Sequence, residues 1–277
     1  ARDAWQRLDQ FLVSAADGQS AMPLPAPEGH LSVEGLVATA LGGEQPILRG
    51  VSFALQAGET LIVIGPSAAG KTTLARVLMG VWPARAGKVR VDGADVHAWN
   101  KEELGPHLGY LPQSVELFDG TLAENIARFG EVDINKVRAA IDLVGLDAMV
   151  DALPDGLHTR IGDDGAILSG GQRQRVGLAR AIYGDPKFIL LDEPNASLDE
   201  AGEQALLRAL MALKARKCTT IVITHRTSVL AAADKVMVLK DGKAAAFGPR
   251  EEVLAALRKA SAPPKPAIAT PAFGEAA

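Results

Sequence analysis

The chain has 277 residues, of which 48% are hydrophobic and 22% are charged, and its formal net charge is −4. This composition excludes global disorder, and the acidic balance argues against nucleic acid as a partner. The single cysteine, Cys218, excludes an internal disulfide, and no uncharged apolar run approaches the ~20 residues that cross a bilayer.

Residues 1–30 are predicted to form an amphipathic helix followed by a linker. Trp5, Leu8 and Phe11 recur at helical spacing among charged residues. The segment Met22–Pro27 alternates proline with other residues, which forces an extended backbone. Two interpretations of the helix stay open: an ordinary N-terminal helix, or the trailing end of a missing upstream domain.

From residue 31 onwards, short apolar strands alternate with helical patterns. This alternation predicts an α/β fold with a parallel sheet and crossover helices. The predicted strands are Leu31–Val37, Ile47–Leu55, Thr60–Ile64, Lys88–Val91, Phe188–Leu191, Thr219–Ile223 and Lys235–Leu239. The predicted helices are Thr72–Met79, Leu122–Arg128, Asn135–Val144, Gly171–Ile182, Glu200–Leu213 and Arg250–Leu257. Asp241-Gly242 predicts a hairpin, and the proline- and alanine-rich segment Ser261–Ala277 predicts a disordered tail.

A phosphate-binding loop lies between one of these strands and the next helix. Its candidate phosphate-contacting residues are Gly65, Pro66, Ser67, Ala68, Ala69, Gly70, Lys71, Thr72 and Thr73. A loop before a helix offers converging backbone N–H groups, and the helix dipole favours an anion there. Lys71 adds a positive charge for the β- and γ-phosphates, and the Thr72 hydroxyl is placed to coordinate Mg²⁺. Ala68 and Ala69 stand where such loops often carry Gly or Ser, which predicts a stiffer loop with its backbone contacts intact.

Two acids, Asp192 and Glu193, end the apolar strand Phe188–Leu191. In an open parallel sheet, ligands bind beyond the carboxyl ends of the strands. We therefore expect Asp192 to hold Mg²⁺ and Glu193 to deprotonate the water that attacks the γ-phosphate. Two acids alone would be interpreted as solvated turn residues, but the phosphate-binding loop in the same chain favours the catalytic interpretation.

Gln113 and His225 each follow the end of another strand. Gln113 is placed to reach Mg²⁺ or the attacking water, and His225 to contact the γ-phosphate. The alternatives are a solvated loop glutamine and a structural histidine.

A second anion-binding helix start lies at Ser169, Gly170, Gly171 and Gln172. One chain thus has one nucleotide to hold and two phosphate-binding ends that are far apart in sequence. A head-to-tail homodimer resolves this mismatch, because Ser169–Gln172 of each chain then covers the γ-phosphate on the partner subunit's Lys71. An ordinary glycine-rich helix cap is the alternative.

Together with Ser197-Leu198-Asp199, these motifs resemble the nucleotide-binding domain of ATP-binding-cassette (ABC) proteins across about residues 31–258. The resemblance implies a P-loop NTPase fold, with a RecA-like parallel sheet core, an antiparallel β subdomain and a helical subdomain at about 113–183. The ATP-binding domain would span residues 31–260, preceded by a transmembrane domain that is absent from this sequence. The cofactors implied are ATP and Mg²⁺, and ATP is hydrolysed in a two-site dimer whose sites Asp199 links.

Four segments indicate which kind of ABC protein this is. Leu117–Ile126 and Thr159–Gly165 resemble exporter segments, with Asp163 where glutamate is usual. Pro66–Gly70 and Asp192–Asn195 look most like bacterial type I protein-secretion ATPases. This resemblance implies a domain at the cytoplasmic face of the bacterial inner membrane. Its partners would be its own N-terminal transmembrane domain, a periplasmic adaptor, an outer-membrane channel and a secreted protein cargo.

Three alternative functions stay open. One is an ABC exporter of lipid or peptide. Another is a soluble DNA-associated ABC ATPase, which is disfavoured because residues 80–167 contain no sustained heptads. The third is a nucleotide sensor without turnover, which the intact Glu193 disfavours.

The sequence departs from the family pattern where the nucleotide base would bind. These domains usually stack adenine on an aromatic residue at a position that corresponds to about Ala40, and no aromatic residue occurs between Leu31 and Ser52. We therefore predict weak discrimination between ATP and GTP.

Overall fold

Two β-sheets organise the chain, in a computed structural model that describes residue 5 and residues 24–40, 42–162 and 165–261. The predicted N-terminal helix apart from Trp5, the start of the linker, Asp163 and the tail beyond Ser261 lie outside the described residues. The predicted boundaries of the domains stay predictions.

The smaller sheet is antiparallel and has the strand order β2-β1-β4-β5. Alternate residues of β1 are buried, Leu31 and Val33 among them, because successive side chains of a strand point to opposite faces. This sheet confirms the antiparallel β subdomain expected from the sequence. Its strands are β1 (Leu31–Thr39), β2 (Pro46–Leu55), β4 (Ala86–Val91) and β5 (Ala94–Asp95).

The larger sheet has the strand order β10-β9-β3-β8-β7-β6, and all its neighbouring strands are parallel except β9 and β10. Central strands β7 and β8 are buried along their whole length, as expected for a parallel sheet covered on both faces. The α/β fold class predicted from the sequence is therefore confirmed. The strands are β3 (Thr60–Ile64), β6 (Leu108–Leu111), β7 (Phe188–Asp192), β8 (Thr219–Ile223), β9 (Lys235–Lys240) and β10 (Lys243–Pro249).

The helices follow the predicted positions, with differences at their ends. The helices are α1 (Lys71–Leu78), α2 (Lys101–Leu104), α3 (Leu122–Ile126), α4 (Ile134–Val144), α5 (Asp147–Asp151), α6 (Gly170–Ile182), α7 (Glu200–Ala215) and α8 (Arg250–Ser261). The predicted extension of α3 to Arg128 is wrong, because Arg128 and Phe129 have φ values of 59° and 57°. Ser261 belongs to α8 rather than to the tail. Helices α2 and α5 were not predicted, since they are too short for periodicity to show.

Two hydrophobic cores lie on opposite faces of the large sheet. Ile62 and Val222 belong to the core formed with the helices α3 to α7. Leu61, Val63 and Ile223 belong to the core that fills the space between the two sheets and α1. Successive side chains of each strand point to opposite faces, so the same strands contribute to both cores. This packing fixes the register of the strands and with it the positions of their ends. In the described part of the chain, no helix has the length and apolar character needed to cross a membrane.

Candidate active site

Most of the predicted site residues lie at the carboxyl edge of the parallel strands. Nine of them line a cavity of about 500 Å³ at this edge. Strand β3 leads into the phosphate-binding loop, β6 into Gln113, β7 into Glu193 and β8 into His225. The cavity is lined by Ile47, Ser67, Ala68, Gly70, Lys71, Thr72, Thr73, Gln113, Asp192 and Glu193.

The phosphate-binding loop is shaped by close backbone contacts. A Cβ at Gly65 would lie 2.1 Å from the Leu239 carbonyl oxygen, so no larger residue fits there. Ala68 has a φ of 61°, the left-handed conformation in which glycine is favoured. The Lys71 ammonium donates to the carbonyl oxygens of Gly65 and Pro66, at 2.9 and 3.0 Å. The lysine charge is thus held at the loop that would receive the phosphates.

Asp192 presents a buried carboxylate that nothing in the described part of the chain satisfies. It is 1% exposed, and neither of its carboxylate oxygens has a hydrogen-bond partner. Burial raises the pKa of Asp192. The nearby Thr72 hydroxyl and the positive charges of Lys71 and Arg76 partly oppose this rise. Mg²⁺ in nucleotide sites is usually held by one or two carboxylates together with phosphate oxygens. Asp192 with the Thr72 hydroxyl and the Gln113 amide therefore fits Mg²⁺.

Glu193 and His225 are in direct contact. The His225 Nδ1 atom lies 2.8 Å from Glu193 Oε2, and the side chains are 65% and 10% exposed, respectively. Glu193 has a φ of 52° and donates its backbone N–H to the carbonyl oxygen of Ile223 at 2.8 Å. The carboxylate lines the cavity beside the phosphate-binding loop. A basic oxygen placed there is suited to orient and deprotonate a water molecule.

The segment predicted to be a second anion-binding helix start forms a capped helix N-terminus, which lies elsewhere on the chain. Ser169 caps α6: its hydroxyl accepts the Gln172 N–H, and the Gln172 side chain accepts the Ser169 N–H. None of the four residues Ser169–Gln172 lines the cavity of the described chain. A Cβ at Gly171 would lie 2.9 Å from the Ser197 carbonyl oxygen. Asp199 caps α7 by accepting the Gly202 N–H at 2.8 Å.

Three features of the site have no counterpart among the sequence predictions. Ile47 lines the cavity, and no signal beyond its place in a predicted strand pointed to this. The Gln174 amide donates to the Glu193 carbonyl oxygen at 3.3 Å, so α6 touches the backbone of the acid. Asn195 and Thr224 form a buried hydrogen bond beside Glu193 and His225. Contacts of this kind join residues distant in sequence, and no local pattern shows them.

Comparison with known proteins places this geometry in context. Residues 48–196 match a protein family described as ABC transporter. The chain is 47% identical to the type I secretion system ATP-binding protein PrsD of Rhizobium meliloti (strain 1021), over 92% of this chain and 44% of that protein. It is 39% identical to the ATP-dependent lipid A-core flippase of Cupriavidus pinatubonensis, over 77% of this chain and 37% of that protein. The chain therefore spans less than half the length of these curated relatives.

A solved structure has the same fold. The structure of a bacterial Atm1-family ABC exporter with ATP bound superposes with a TM-score of 0.79 at 31% sequence identity. The alignment covers 88% of this chain and 44% of that chain.

Proposed function

The chain belongs to the ABC transporter family, and from that premise we propose that it powers a bacterial inner-membrane exporter, most similar to type I protein secretion. Domains of this family hydrolyse ATP, so the chain is an ATPase that binds ATP. The main structural support for ATP hydrolysis is that Lys71, Asp192 and Glu193 line the same cavity.

The chemistry follows from the side chains that line the cavity. The backbone N–H groups of the phosphate-binding loop and the Lys71 ammonium bind the β- and γ-phosphates. Asp192, Thr72 and Gln113 would hold Mg²⁺, which supplies charge neutralisation to the phosphate oxygens when bound. Glu193 takes the proton of the attacking water. His225 is in contact with Glu193, and it would contact the γ-phosphate.

We further propose that the catalytic unit is a head-to-tail homodimer. The support is that Ser169–Gln172 forms a capped helix N-terminus, the kind of site that can bind a phosphate group. These residues do not line the chain's own cavity. In the dimer, this helix start covers the γ-phosphate held by the partner subunit's Lys71. Asp199 would link the two sites, and in support it caps α7 two residues after Ser197, which lies close to Gly171.

The proposal of protein secretion rests on the 47% identity to PrsD, a type I secretion system ATP-binding protein. From it we propose an N-terminal transmembrane domain, a periplasmic adaptor, an outer-membrane channel and a secreted protein cargo as partners. We place the domain at the cytoplasmic face of the inner membrane. A lipid exporter is the second candidate, because two lipid A-core flippases match at 39% and 40% identity.

Replacement of Glu193 by Gln tests the catalytic assignment. Glutamine keeps the shape of the side chain but cannot accept the proton, so ATP turnover should fall by about 10²–10⁴-fold. ATP should still bind, and size-exclusion chromatography with ATP and Mg²⁺ should show a persistent dimer. A variant that turns over ATP like the parent would contradict the role of Glu193.

The sequence encoded immediately upstream tests the exporter assignment independently. Membrane-spanning segments there support it, and an upstream soluble domain contradicts it. Reconstitution of the full-length protein in vesicles, with an unfolded protein or a lipid offered as cargo, separates the two candidate functions.

A further inference from the structure

A buried polar pair joins the two strand ends that carry Glu193 and His225. The Thr224 hydroxyl donates to Oδ1 of Asn195 at 3.1 Å and accepts the backbone N–H of Arg226 at 3.0 Å. Asn195 and Thr224 are both 0% exposed. Asn195 lies just downstream of Glu193, and Thr224 directly precedes His225. The hydrogen bond therefore ties the segment after the acid to the segment before the histidine.

The backbone at Glu193 needs such support. Its φ of 52° is costly for a residue other than glycine, and it persists only where surrounding contacts hold it in place. The Glu193 N–H donates to the Ile223 carbonyl oxygen, and the Glu193 carbonyl oxygen accepts from the Gln174 amide. These bonds fix the peptide groups on either side of the acid. The hydrogen bond between Asn195 and Thr224 fixes the direction of the backbone after Glu193.

The same pair is tied to the phosphate-binding loop through the sheet. The Thr224 N–H donates to the Val63 carbonyl oxygen at 3.1 Å, near the end of β3. Strand β3 leads directly into the loop that carries Lys71. A displacement of Thr224 would therefore change the position of Glu193 relative to the loop that binds the phosphates.

The energetics of the pair argue against a purely stabilising role. The Nδ2 atom of Asn195 is buried and has no hydrogen-bond partner among the described residues. A buried donor without a partner destabilises the folded state, and two apolar side chains of similar shape would avoid that cost. The Thr224 hydroxyl also satisfies the Arg226 N–H, but folding stability alone gives no reason for an asparagine at position 195.

We propose that Asn195 and Thr224 are positioning residues for ATP hydrolysis, which hold Glu193 and His225 in register through their shared hydrogen bond. The proposal rests on the proposed catalytic role of Glu193. It assigns no contact with ATP to either residue, since neither lines the cavity.

Steady-state ATPase assays on this chain test the proposal with Thr224→Val, which keeps the shape but removes the hydroxyl, and with Asn195→Leu. We expect kcat to fall by about 10- to 100-fold, because small displacements of catalytic groups have effects of that size. KM for ATP should stay within about twofold, since phosphate binding does not use this pair. Thermal midpoints of the two single variants should fall modestly, because each leaves a buried polar partner unpaired, and the double variant should lie closer to the parent. Thr224→Ser keeps the hydroxyl, so its kcat should stay close to that of the parent and well above that of Thr224→Val.

A matched control lies near the start of β8, the strand that Thr224 follows. Thr220 is also 0% exposed, and its hydroxyl donates to the Cys218 carbonyl oxygen at 3.2 Å, away from the site. Thr220→Val should leave kcat unchanged. Full turnover by Thr224→Val, or an equal loss of kcat in Thr220→Val, would overturn the proposal.

Glu193→Gln, measured alongside, separates two kinds of failure. If Glu193→Gln is inactive while Thr224→Val and Asn195→Leu hydrolyse ATP normally, the positioning role is wrong and the proposed function stands. If Glu193→Gln itself hydrolyses ATP at the parent rate, the catalytic assignment fails and the positioning role fails with it.

Discussion

Gly171 lies so close to Ser197 that a Cβ at position 171 would be 2.9 Å from the Ser197 carbonyl oxygen. The helix start proposed to cover the partner's nucleotide thus rests on the segment between Glu193 and Asp199 of its own chain. In the proposed dimer, a movement of α6 toward Ser197 would displace that segment. The two sites would then be connected through close packing within each chain.

Gly171→Ala tests this connection. The added methyl group meets a backbone oxygen, so α6 or the segment at Ser197 must shift by several tenths of an ångström. We expect kcat for ATP to fall by about tenfold or more, with folding retained. The control is Gly105→Ala, where a Cβ would have no heavy atom within 4 Å. A Gly171→Ala chain with parental kcat would show that the contact is not transmitted to the acid.

Asp192→Asn should raise the thermal stability of the nucleotide-free chain at neutral pH. Burial raises the pKa of Asp192, so the folded state favours the protonated carboxyl more than the unfolded state does. Ionisation therefore lowers stability as pH rises from the unfolded pKa to the higher folded pKa, and above that the penalty is constant. Asparagine does not ionise and avoids this penalty, so the difference in Tm should shrink at acidic pH.

Melting curves across pH without nucleotide measure this effect, with the exposed Asp151→Asn as control. In the same variant, ATPase activity that depends on Mg²⁺ should be lost, since the carboxylate proposed to hold the cation is gone. If Asp192→Asn has parental activity, the site for Mg²⁺ lies elsewhere. A lower Tm than the parent at neutral pH would contradict the burial argument.

Arg128→Ala should destabilise the chain by on the order of 3 kcal/mol, because several buried carbonyl groups lose a charged donor. The guanidinium donates to five carbonyl oxygens, two before β6 or at its start and three at the end of α6 or just beyond it. Those carbonyls belong to Gly105, Leu108, Arg180, Ala181 and Tyr183. Burial also lowers the pKa of Arg128. Urea denaturation measures the loss, and Arg138→Ala on the exposed face of α4 is the control. Equal midpoints for the two variants would contradict this role.

GTP should be hydrolysed at a rate within about 100-fold of the ATP rate. The cavity is lined by Ile47 and by no aromatic residue of the described chain, and Ala40 is exposed. Base–aromatic stacking contributes ~1–3 kcal/mol in other settings, and its absence removes one source of base selectivity. Ala40→Tyr should lower KM for ATP. A GTPase rate further below the ATPase rate would show that another group recognises the base.

The local part of this site could be predicted from the sequence because its signals are local. A strand, a glycine-containing loop and a helix follow one another at Thr60–Met79, and the acids follow four consecutive apolar residues of β7. Ser169 and Gln172 are close enough in sequence to cap one helix together. Periodicity also predicted β3, β7 and β8, whose residues are almost all apolar or buried. The end of α3 was missed because Arg128 and Phe129 have positive φ values, and the Arg128 guanidinium binds backbone of β6 and α6 that is distant in sequence.

The amino-acid sequence by itself determined which residue types are available for the chemistry and which elements carry them. Only the tertiary structure decided that Glu193 touches His225, that Asn195 bonds Thr224, and that Ser169–Gln172 stays away from the chain's own cavity. The physical reason is that motifs and periodicity arise from neighbours along the backbone. Contacts between strand ends depend instead on the order and register of the strands in the sheet, which the packing of two hydrophobic cores fixes.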